Sequence, residues 1–252
     1  MPDHEVKRVR DWLIRDKYRG SILEDELKKD LARIAQGEPA DYVIGWREFL
    51  GARIDLSFRP LIPREATEYW VEKAIAEINK EHHGGNLHIL DLFSGSGAIG
   101  IALLRHLPNA HVDFGEIDRH LLKQIEFNLE LNKISEERFQ VIETDVFRNI
   151  GGGYDYIFAN PPYLARERLD EIQKSVLDHE PHRALFGEDG GMSFLIALFS
   201  EAKRFLSRSG AIYFEFHSPQ KERLEKLLKE LGYEFELRKD RFGLYRWGRA
   251  RF

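Results

Sequence analysis

Residues 87–101 read Leu-His-Ile-Leu-Asp-Leu-Phe-Ser-Gly-Ser-Gly-Ala-Ile-Gly-Ile, and this stretch decides the fold. The apolar run 87–92 predicts a buried strand, the small residues 94–97 predict a turn, and the apolar positions that follow predict a helix. A ligand can lie close to the backbone of such a turn, at the N-terminus of the helix. The candidate cofactor-binding residues here are Asp91, Phe93, Ser94, Gly95, Ser96 and Gly97.

Acidic residues follow the next two predicted strands. The strand 110–114 runs into Glu116 and Asp118, and an acid at this position is where a ribose diol would be bound. We choose Glu116 because it follows the apolar run more directly. The strand 139–143 leads to Asp145, which could accept an adenine amino group, and to Val146, which could pack on the ring.

The fourth predicted strand ends in Asn160-Pro161-Pro162-Tyr163. Neither proline has a backbone N–H and each fixes its own φ, so the strand stops in a stiff loop. The side-chain oxygen of Asn160 and the carbonyl of Pro161 could each accept a hydrogen from a planar –NH2 group, with the ring of Tyr163 over its face. Two acceptors out of plane would favour a more tetrahedral nitrogen and aim its lone pair at an electrophile. We therefore take residues 160–163 as the candidate catalytic group.

Each feature also has an ordinary interpretation. Asn-Pro-Pro alone can be a simple turn, and a single acidic residue after a strand is usually a solvated loop carboxylate. Because ligands of open α/β sheets lie outside the carboxyl ends of the strands, the four strand ends in order favour one shared site. No lysine follows the glycines in the pattern of a nucleotide triphosphatase, which argues against that class. Phe93 stands where the first glycine of an NAD-binding turn would be, which argues against an NAD site.

These motifs together resemble a class I S-adenosylmethionine-dependent methyltransferase. More narrowly, residues 39–252 resemble the PrmC/HemK family of protein-(glutamine-N5) methyltransferases, which modify the Gly-Gly-Gln loop of peptide chain release factors. The most specific similarities are the blocks 42–51, 61–68 and 178–187. The resemblance implies a Rossmann-like seven-stranded sheet with an antiparallel C-terminal hairpin. It implies cofactor contacts from Phe93–Gly97, Glu116, Val146 and Asn160, and glutamine contacts from Asn160–Tyr163.

Three positions depart from the family pattern. Phe93 replaces a glycine that is usual in the first turn, Glu65-Ala66 replaces Pro-Glu, and Val146 replaces a position that is often aromatic.

Composition narrows the possible classes of protein. The chain has 252 residues, no cysteine and a net charge of −5, with no apolar stretch long enough to span a membrane. We expect a cytoplasmic monomer without disulfides or membrane association. The acidic charge argues against a nucleic-acid partner, and the arginines and lysine between 238 and 251 are more simply a solvated strand pair. The histidines show no ligand spacing along the chain, so we predict no metal.

We divide the chain into a short N-terminal helical segment (1–38), a β-hairpin linker (39–64) and a methyltransferase domain (65–252). Helices are predicted over 6–18, 24–35, 65–81, 119–132, 192–207 and 219–231, and the last strands over 210–216, 233–238 and 243–248. The charged segment 164–187 is predicted to be a surface helix or flap at the site.

The leading hypothesis is methyl transfer from S-adenosyl-L-methionine to the side-chain amide of a release-factor glutamine, with S-adenosyl-L-homocysteine as product. A second is methylation of an exocyclic base amine in RNA or DNA, because Asn-Pro-Pro-Tyr also occurs in such enzymes. A glutamine of a ribosomal protein is a close variant of the first. A third hypothesis, a non-catalytic binding subunit, would predict failure to bind the cofactor.

Overall fold

A seven-stranded sheet forms the centre of the molecule. The computed structural model describes residues 3–21, 24–82 and 84–252. The first two strands, β1 (Trp46–Phe49) and β2 (Ala52–Asp55), form a separate hairpin. The sheet contains β3 (Leu87–Leu92), β4 (Ala110–Glu116), β5 (Phe139–Glu143), β6 (Tyr154–Ala159), β7 (Leu206–Glu215), β8 (Glu234–Lys239) and β9 (Tyr245–Arg251). Their order is β5-β4-β3-β6-β7-β9-β8. Strands β3 to β7 pair in parallel, and β9 pairs antiparallel with both β7 and β8. The predicted sheet with its antiparallel C-terminal hairpin is confirmed.

The order of the strands reverses between β3 and β6. From β3 the chain continues outward to β4 and β5, then returns to β6 on the other side of β3. Leu92 pairs with both Gly115 of β4 and Ala159 of β6, so the three strands end at almost the same level. Ligands of open α/β sheets bind at such a reversal point, beyond the carboxyl ends of the strands.

Helices cover both faces of the sheet. They are α1 (Asp3–Trp12), α2 (Glu24–Ala35), α3 (Ala40–Ile44), α4 (Glu65–Glu81), α5 (Ala98–His106), α6 (Arg119–Leu131), α7 (Lys174–His179), α8 (His182–Leu185), the single turn α9 (Glu188–Gly191), α10 (Ser193–Glu201) and α11 (Lys221–Glu230). Ile89 belongs to the buried cluster with α4, α5 and α6, whereas the next residue, Leu90, belongs to the cluster with α10 and α11. This alternation along β3 is what a strand buried on both faces requires.

The N-terminal segment contains the two predicted helices, and a π-helical turn (Leu13–Lys17) extends the first one. Leu13 and Leu27 form a small buried cluster with Val43 of α3. The short helix α3 was not predicted, and within the predicted linker 39–64 the paired strands of the hairpin occupy only 46–55. The division at residues 38 and 64 remains a proposal, because Phe49 of the hairpin is buried in the same cluster as Trp70 of α4.

The prediction of a helix over 192–207 was too long. Helix α10 ends at Glu201, and β7 already begins at Leu206. The segment 164–187 forms short helical turns, and a bridge between Leu164 and Phe186 holds its two ends together. Within the described ranges, no helix combines the length and the apolar character needed to cross a membrane.

Candidate active site

A cavity of about 390 Å³ opens beyond the carboxyl ends of β3, β4, β5 and β6. The structure brings most of the predicted site residues to its walls: Phe93, Ser94, Gly95, Ser96, Glu116, Asp145, Val146, Asn160 and Pro162. The opposite wall comes from the loop before α4 and from the segment around α8, including Arg64, Pro181 and Arg183. Within the part of the chain that the structure describes, the cavity lining does not include Asp91, Gly97, Pro161 or Tyr163.

The turn after β3 has a backbone that few side chains favour. Phe93 has a φ of +63°, in the left-handed region that normally selects glycine. Its ring meets Phe194 edge to face, with ring centroids 5.6 Å apart. Gly97, with a φ of +79°, precedes the first residue of α5. Phe93 therefore takes a backbone conformation that ordinarily favours glycine.

Asp91 lies beneath this turn rather than in the cavity wall. It is fully buried, and its Oδ2 accepts a 2.9 Å hydrogen bond from the N–H of Gly100 in α5. Its Oδ1 has no hydrogen-bond partner among the described residues. Burial raises the pKa of the Asp91 carboxyl to about 7, and the Gly100 N–H only partly offsets this effect. Asp91 was predicted to be among the cofactor-binding residues. In the structure its hydrogen bond to Gly100 joins β3 to α5, behind the cavity wall.

Glu116 at the end of β4 connects two loops. Its Oε2 accepts the N–H of Gly95 at 2.8 Å, and its Oε1 accepts the N–H groups of Ile117 and Asp118, each at 2.9 Å. Each carboxylate oxygen has two acceptor sites, so Oε2 keeps one for a ligand hydroxyl. Burial raises the pKa of Glu116, whereas the three N–H groups oppose that rise. Asp118 instead caps α6, where its Oδ1 accepts the N–H of His120 at 2.9 Å.

Asp145 and Val146 follow β5 and both line the cavity. Val146 has a φ of +52°, which is unusual for a β-branched residue. The hydroxyl of Thr144 donates to the Val146 carbonyl at 2.9 Å and so holds this bend. The bend places an apolar side chain, rather than an aromatic ring, at the wall where an adenine ring was predicted to pack.

The loop after β6 is held by a buried carboxylate. Glu215, at the end of β7, accepts hydrogen bonds from Tyr163 Oη at 2.6 Å, Thr67 Oγ1 at 2.6 Å and Trp70 Nε1 at 2.7 Å. Asn160 Nδ2 lies 3.4 Å from Thr67 Oγ1. With Nδ2 directed at Thr67, the Oδ1 of Asn160 is left as the acceptor that this side chain can offer to a ligand.

Tyr163 is held at its hydroxyl, which donates to Glu215. The predicted place of its ring, over the face of a bound –NH2 group, stays a prediction. Burial and the neighbouring Glu215 raise the pKa of Tyr163 well above its ordinary value, so it remains a donor. Its backbone carbonyl accepts the side chain of Gln220 at 2.8 Å. In this structure Tyr163 anchors the loop.

Sequence reasoning missed Thr67 and Glu215. Thr67 belongs to the family-specific block 61–68, and Glu215 ends the strand that follows β6 in the sheet. The same rule that selected the other strand ends would have included Glu215.

An ion pair between half-buried Arg64 and buried Glu180 joins the two outer walls of the cavity. Glu180, 4% exposed, accepts Arg64 Nη2 at 2.6 Å and the N–H of Ile62 at 3.1 Å. It therefore fixes the segment around α8 against the loop before α4. Glu65 is one of the two residues that replace the family's Pro-Glu. It pairs with Arg241 of the turn between β8 and β9.

The chain is similar to several curated proteins. A family model described as the methyltransferase small domain matches residues 74–195. The release factor glutamine methyltransferase of Lactococcus lactis subsp. lactis is 34% identical over 230 residues, covering 90% of this chain and 82% of that protein. The protein of the same name from Flavobacterium psychrophilum is 33% identical over 244 residues, covering 95% and 85%.

Solved structures agree on the fold. A methyltransferase from Pyrococcus furiosus superposes with a TM-score of 0.58 at 18% sequence identity, covering 88% of this chain and 97% of that one. The resemblance to a family noted in the sequence is confirmed: this chain belongs to the release factor glutamine methyltransferase family.

Proposed function

We propose that this protein transfers a methyl group from S-adenosyl-L-methionine to the side-chain amide nitrogen of the glutamine in the Gly-Gly-Gln motif of a peptide chain release factor. The observation that carries the proposal is the position of Asn160. It lines the same cavity as the turn after β3, and its amide group is oriented by Thr67 and Glu215. The name shared by the relatives supports the choice of substrate.

The walls of the cavity fit an adenosyl cofactor. The free acceptor site on Glu116 suits a ribose hydroxyl, and Asp145 suits an exocyclic amino group. Ile117, Leu121 and Val146 offer an apolar wall for a planar ring. When bound, S-adenosyl-L-methionine supplies an electrophilic methyl group and leaves as S-adenosyl-L-homocysteine. Asp91 and Gly97 support this subsite by shaping the turn, from outside the lining.

The protein's task toward the glutamine is positioning. In the proposed complex, Asn160 Oδ1 accepts one hydrogen of the substrate –NH2 group. The carbonyl of Pro161 accepts the other. The two bonds hold the nitrogen with its lone pair toward the methyl group, and one N–H proton is released to water as the new N–C bond forms. Pro162 keeps the loop stiff and Tyr163 anchors it, so the loop needs little rearrangement when the substrate binds.

The basic residues near the C-terminus give little support to a nucleic-acid substrate. Arg238 pairs with Glu77 and Glu236, Arg249 pairs with Glu77 and Glu81, and Arg246 pairs with Asp240. Their charge is largely compensated by these carboxylates, so this strand pair offers little net positive charge to RNA or DNA.

Mass spectrometry of candidate substrates tests the proposal. The panel is a release factor with Gly-Gly-Gln, the same factor with Gln→Ala, a ribosomal protein mixture and total RNA, each incubated with S-adenosyl-L-methionine. One added methyl on the motif glutamine, absent from the Gln→Ala control, is expected. Methylated RNA or ribosomal protein with an unmodified release factor would overturn the assignment.

A further inference from the structure

A cluster of metal-ligating side chains lies at the other end of the sheet from the cavity. His88 is the second residue of β3 and His111 the second residue of β4, and the two are direct partners in the parallel register. Asp113 lies two residues beyond His111, on the same face of β4. Spacing along the sequence did not predict a metal site because the ligands come from two strands that only the register aligns.

The ligand atoms converge. His88 Nε2 lies 3.1 Å from Asp113 Oδ2, and His111 Nδ1 lies 3.4 Å from Asp113 Oδ1. One ligand atom from each of the three residues lies within 4.8 Å of the other two. Ligand atoms of a tetrahedral zinc site, with bonds of about 2.1 Å, are separated by roughly 3.4 Å. The two histidine–aspartate distances are close to that spacing, each to a different oxygen of the Asp113 carboxylate.

Two buried atoms of the cluster lack a hydrogen bond. Asp113 Oδ1 and His111 Nδ1 are buried and make none with the residues that the structure describes. Buried polar atoms are nearly always satisfied, yet these two face each other at 3.4 Å and make no hydrogen bond with each other. A cation between them would satisfy both atoms.

The surroundings also match a metal site. Tyr154 donates a 2.7 Å hydrogen bond to Asp113 Oδ2, as an outer residue does to a ligating carboxylate. Both histidine side chains are 39% exposed, so a cation can enter from solvent and a water can complete its coordination.

We propose that His88, His111 and Asp113 bind a divalent cation of the zinc class. Two imidazoles and one carboxylate suit Zn²⁺, whereas Mg²⁺ and Ca²⁺ prefer oxygen ligands alone. The site joins β3 to β4 and lies about 13 Å along β3 from the turn after Leu92, since each strand residue advances about 3.3 Å. Its role is to stabilise the sheet, separate from methyl transfer.

Calorimetric titration of the EDTA-dialysed full chain with ZnCl2 tests the site, with thermal unfolding as a second readout. One equivalent of Zn²⁺ should bind and raise Tm, and MgCl2 should have no effect. His88→Gln and His111→Gln should each weaken zinc binding at least about tenfold, and Tyr154→Phe about tenfold. His106→Gln, which changes an exposed histidine of α5, should bind zinc normally.

Two results of the titration would contradict the proposed zinc site. If the cluster is only a protonated histidine–aspartate network, wild-type protein will bind no stoichiometric zinc, and the proposal fails. Zinc binding that survives both His→Gln changes would place the metal elsewhere and would also overturn it. An anomalous-scattering peak between the three side chains in zinc-soaked wild-type crystals gives a test that needs no variant. A peak there supports the site, and no peak refutes it.

Discussion

The hydroxyl of Tyr163 donates a 2.6 Å hydrogen bond to Oε1 of Glu215, and this bond fixes the candidate catalytic loop to the end of β7. Glu215 is 1% exposed and also accepts bonds from Thr67 and Trp70. One buried carboxylate therefore joins α4, the loop after β6 and β7. We infer that Glu215 is a positioning residue, which acts on the substrate through the loop.

Replacing Glu215 with alanine should impair turnover more than cofactor binding. The change removes the acceptor of three buried donors and releases the loop that carries Asn160. Because displacement of a catalytic group by about 1 Å can cost about 100-fold in rate, we expect kcat to fall by about that factor. The KM for S-adenosyl-L-methionine should change by less than about threefold. Steady-state kinetics below the Tm of the variant measures both.

Glu215→Gln is the matched control. Its carbonyl oxygen can accept from Thr67 and Trp70, and its –NH2 group can donate to the Tyr163 oxygen. We expect kcat within about tenfold of wild type. If Gln and Ala lost activity equally, the negative charge rather than the position of the loop would matter. An alanine variant with normal kcat would remove Glu215 from the mechanism.

Asn160→Ala should remove most turnover and leave cofactor affinity nearly unchanged. The substitution deletes the proposed acceptor for the substrate –NH2 group, so we expect kcat to fall by about 100-fold or more. The dissociation constant for S-adenosyl-L-methionine, measured by calorimetry, should change by only about threefold. Asn149→Ala, in an exposed position after β5, is the control and should behave like wild type. A near-normal rate in Asn160→Ala would disprove the proposed contact.

Glu116 and Asp118 should respond differently to the same change. In Glu116→Gln, an –NH2 group replaces an oxygen that now accepts backbone N–H groups, so donors face each other and the ribose acceptor is lost. We expect S-adenosyl-L-methionine affinity to fall at least about tenfold, the effect of about 1.4 kcal/mol. Asp118→Asn keeps a good helix cap and should bind within about threefold. The reverse ranking would assign the ribose contact to Asp118.

How far the sequence predicts this structure depends on the range of each interaction. The bounds of α4 (Glu65–Glu81) and β3 (Leu87–Leu92) agree with the prediction because local periodicity and breakers mark them. The predicted end of α10, residue 207, was too late because the apolar residues of the helix continue into β7 without a local break. The single-turn helix α3 is too short for a periodic pattern to show.

The same limit applies to the site. Asn160 and Glu116 follow strand ends that the sequence marks, and the structure brings both to one cavity. The hydrogen bond from Thr67 to Glu215 joins residues that are 148 positions apart, and no local sequence pattern connects them. The place of the Tyr163 ring over the substrate stays a prediction, whereas the bond from its hydroxyl to Glu215 is one that no local pattern could show. The roles of the individual site residues stay predictions that the substitutions here test.

Asp91 should make stability depend on pH. Burial raises the pKa of its carboxyl from 3.8 to about 7 in the folded protein, so the folded state holds a proton that the unfolded state has lost. The free energy of unfolding should therefore fall as pH rises from about 4 to about 7, by up to about 2–3 kcal/mol between pH 5 and pH 8. Asp91→Asn cannot ionise and should lose this part of the pH dependence.

Urea unfolding at about pH 5 and about pH 8 measures the difference between the two proteins. Glu116 also has a raised pKa, and its charge adds to the rise at Asp91, so the difference between the two proteins includes this coupling. Asp25→Asn, which changes an exposed carboxylate, should follow the wild-type curve. Equal pH dependence in wild type and Asp91→Asn would show that Asp91 is ionised in the folded protein throughout this range.

Phe93 allows a test of backbone strain at the cofactor turn. Phe93→Ala and Phe93→Gly both remove the ring and its contact with Phe194, so they differ only in the Cβ and in backbone freedom. At ordinary positions alanine is the more stabilising residue, by about 0.4–1 kcal/mol. At a φ of +63° the Cβ of alanine is strained, by about 1–2 kcal/mol, and glycine is not.

We therefore expect Phe93→Gly to be more stable than Phe93→Ala, by about 1 kcal/mol in urea unfolding. The pair Glu126→Ala and Glu126→Gly, at an exposed position inside α6, should show the opposite order. Both Phe93 variants lose a cavity wall and should bind S-adenosyl-L-methionine more weakly than wild type. If alanine proved more stable than glycine at both positions, the turn would not hold Phe93 in the left-handed conformation, and the chain would have replaced the family's glycine without strain.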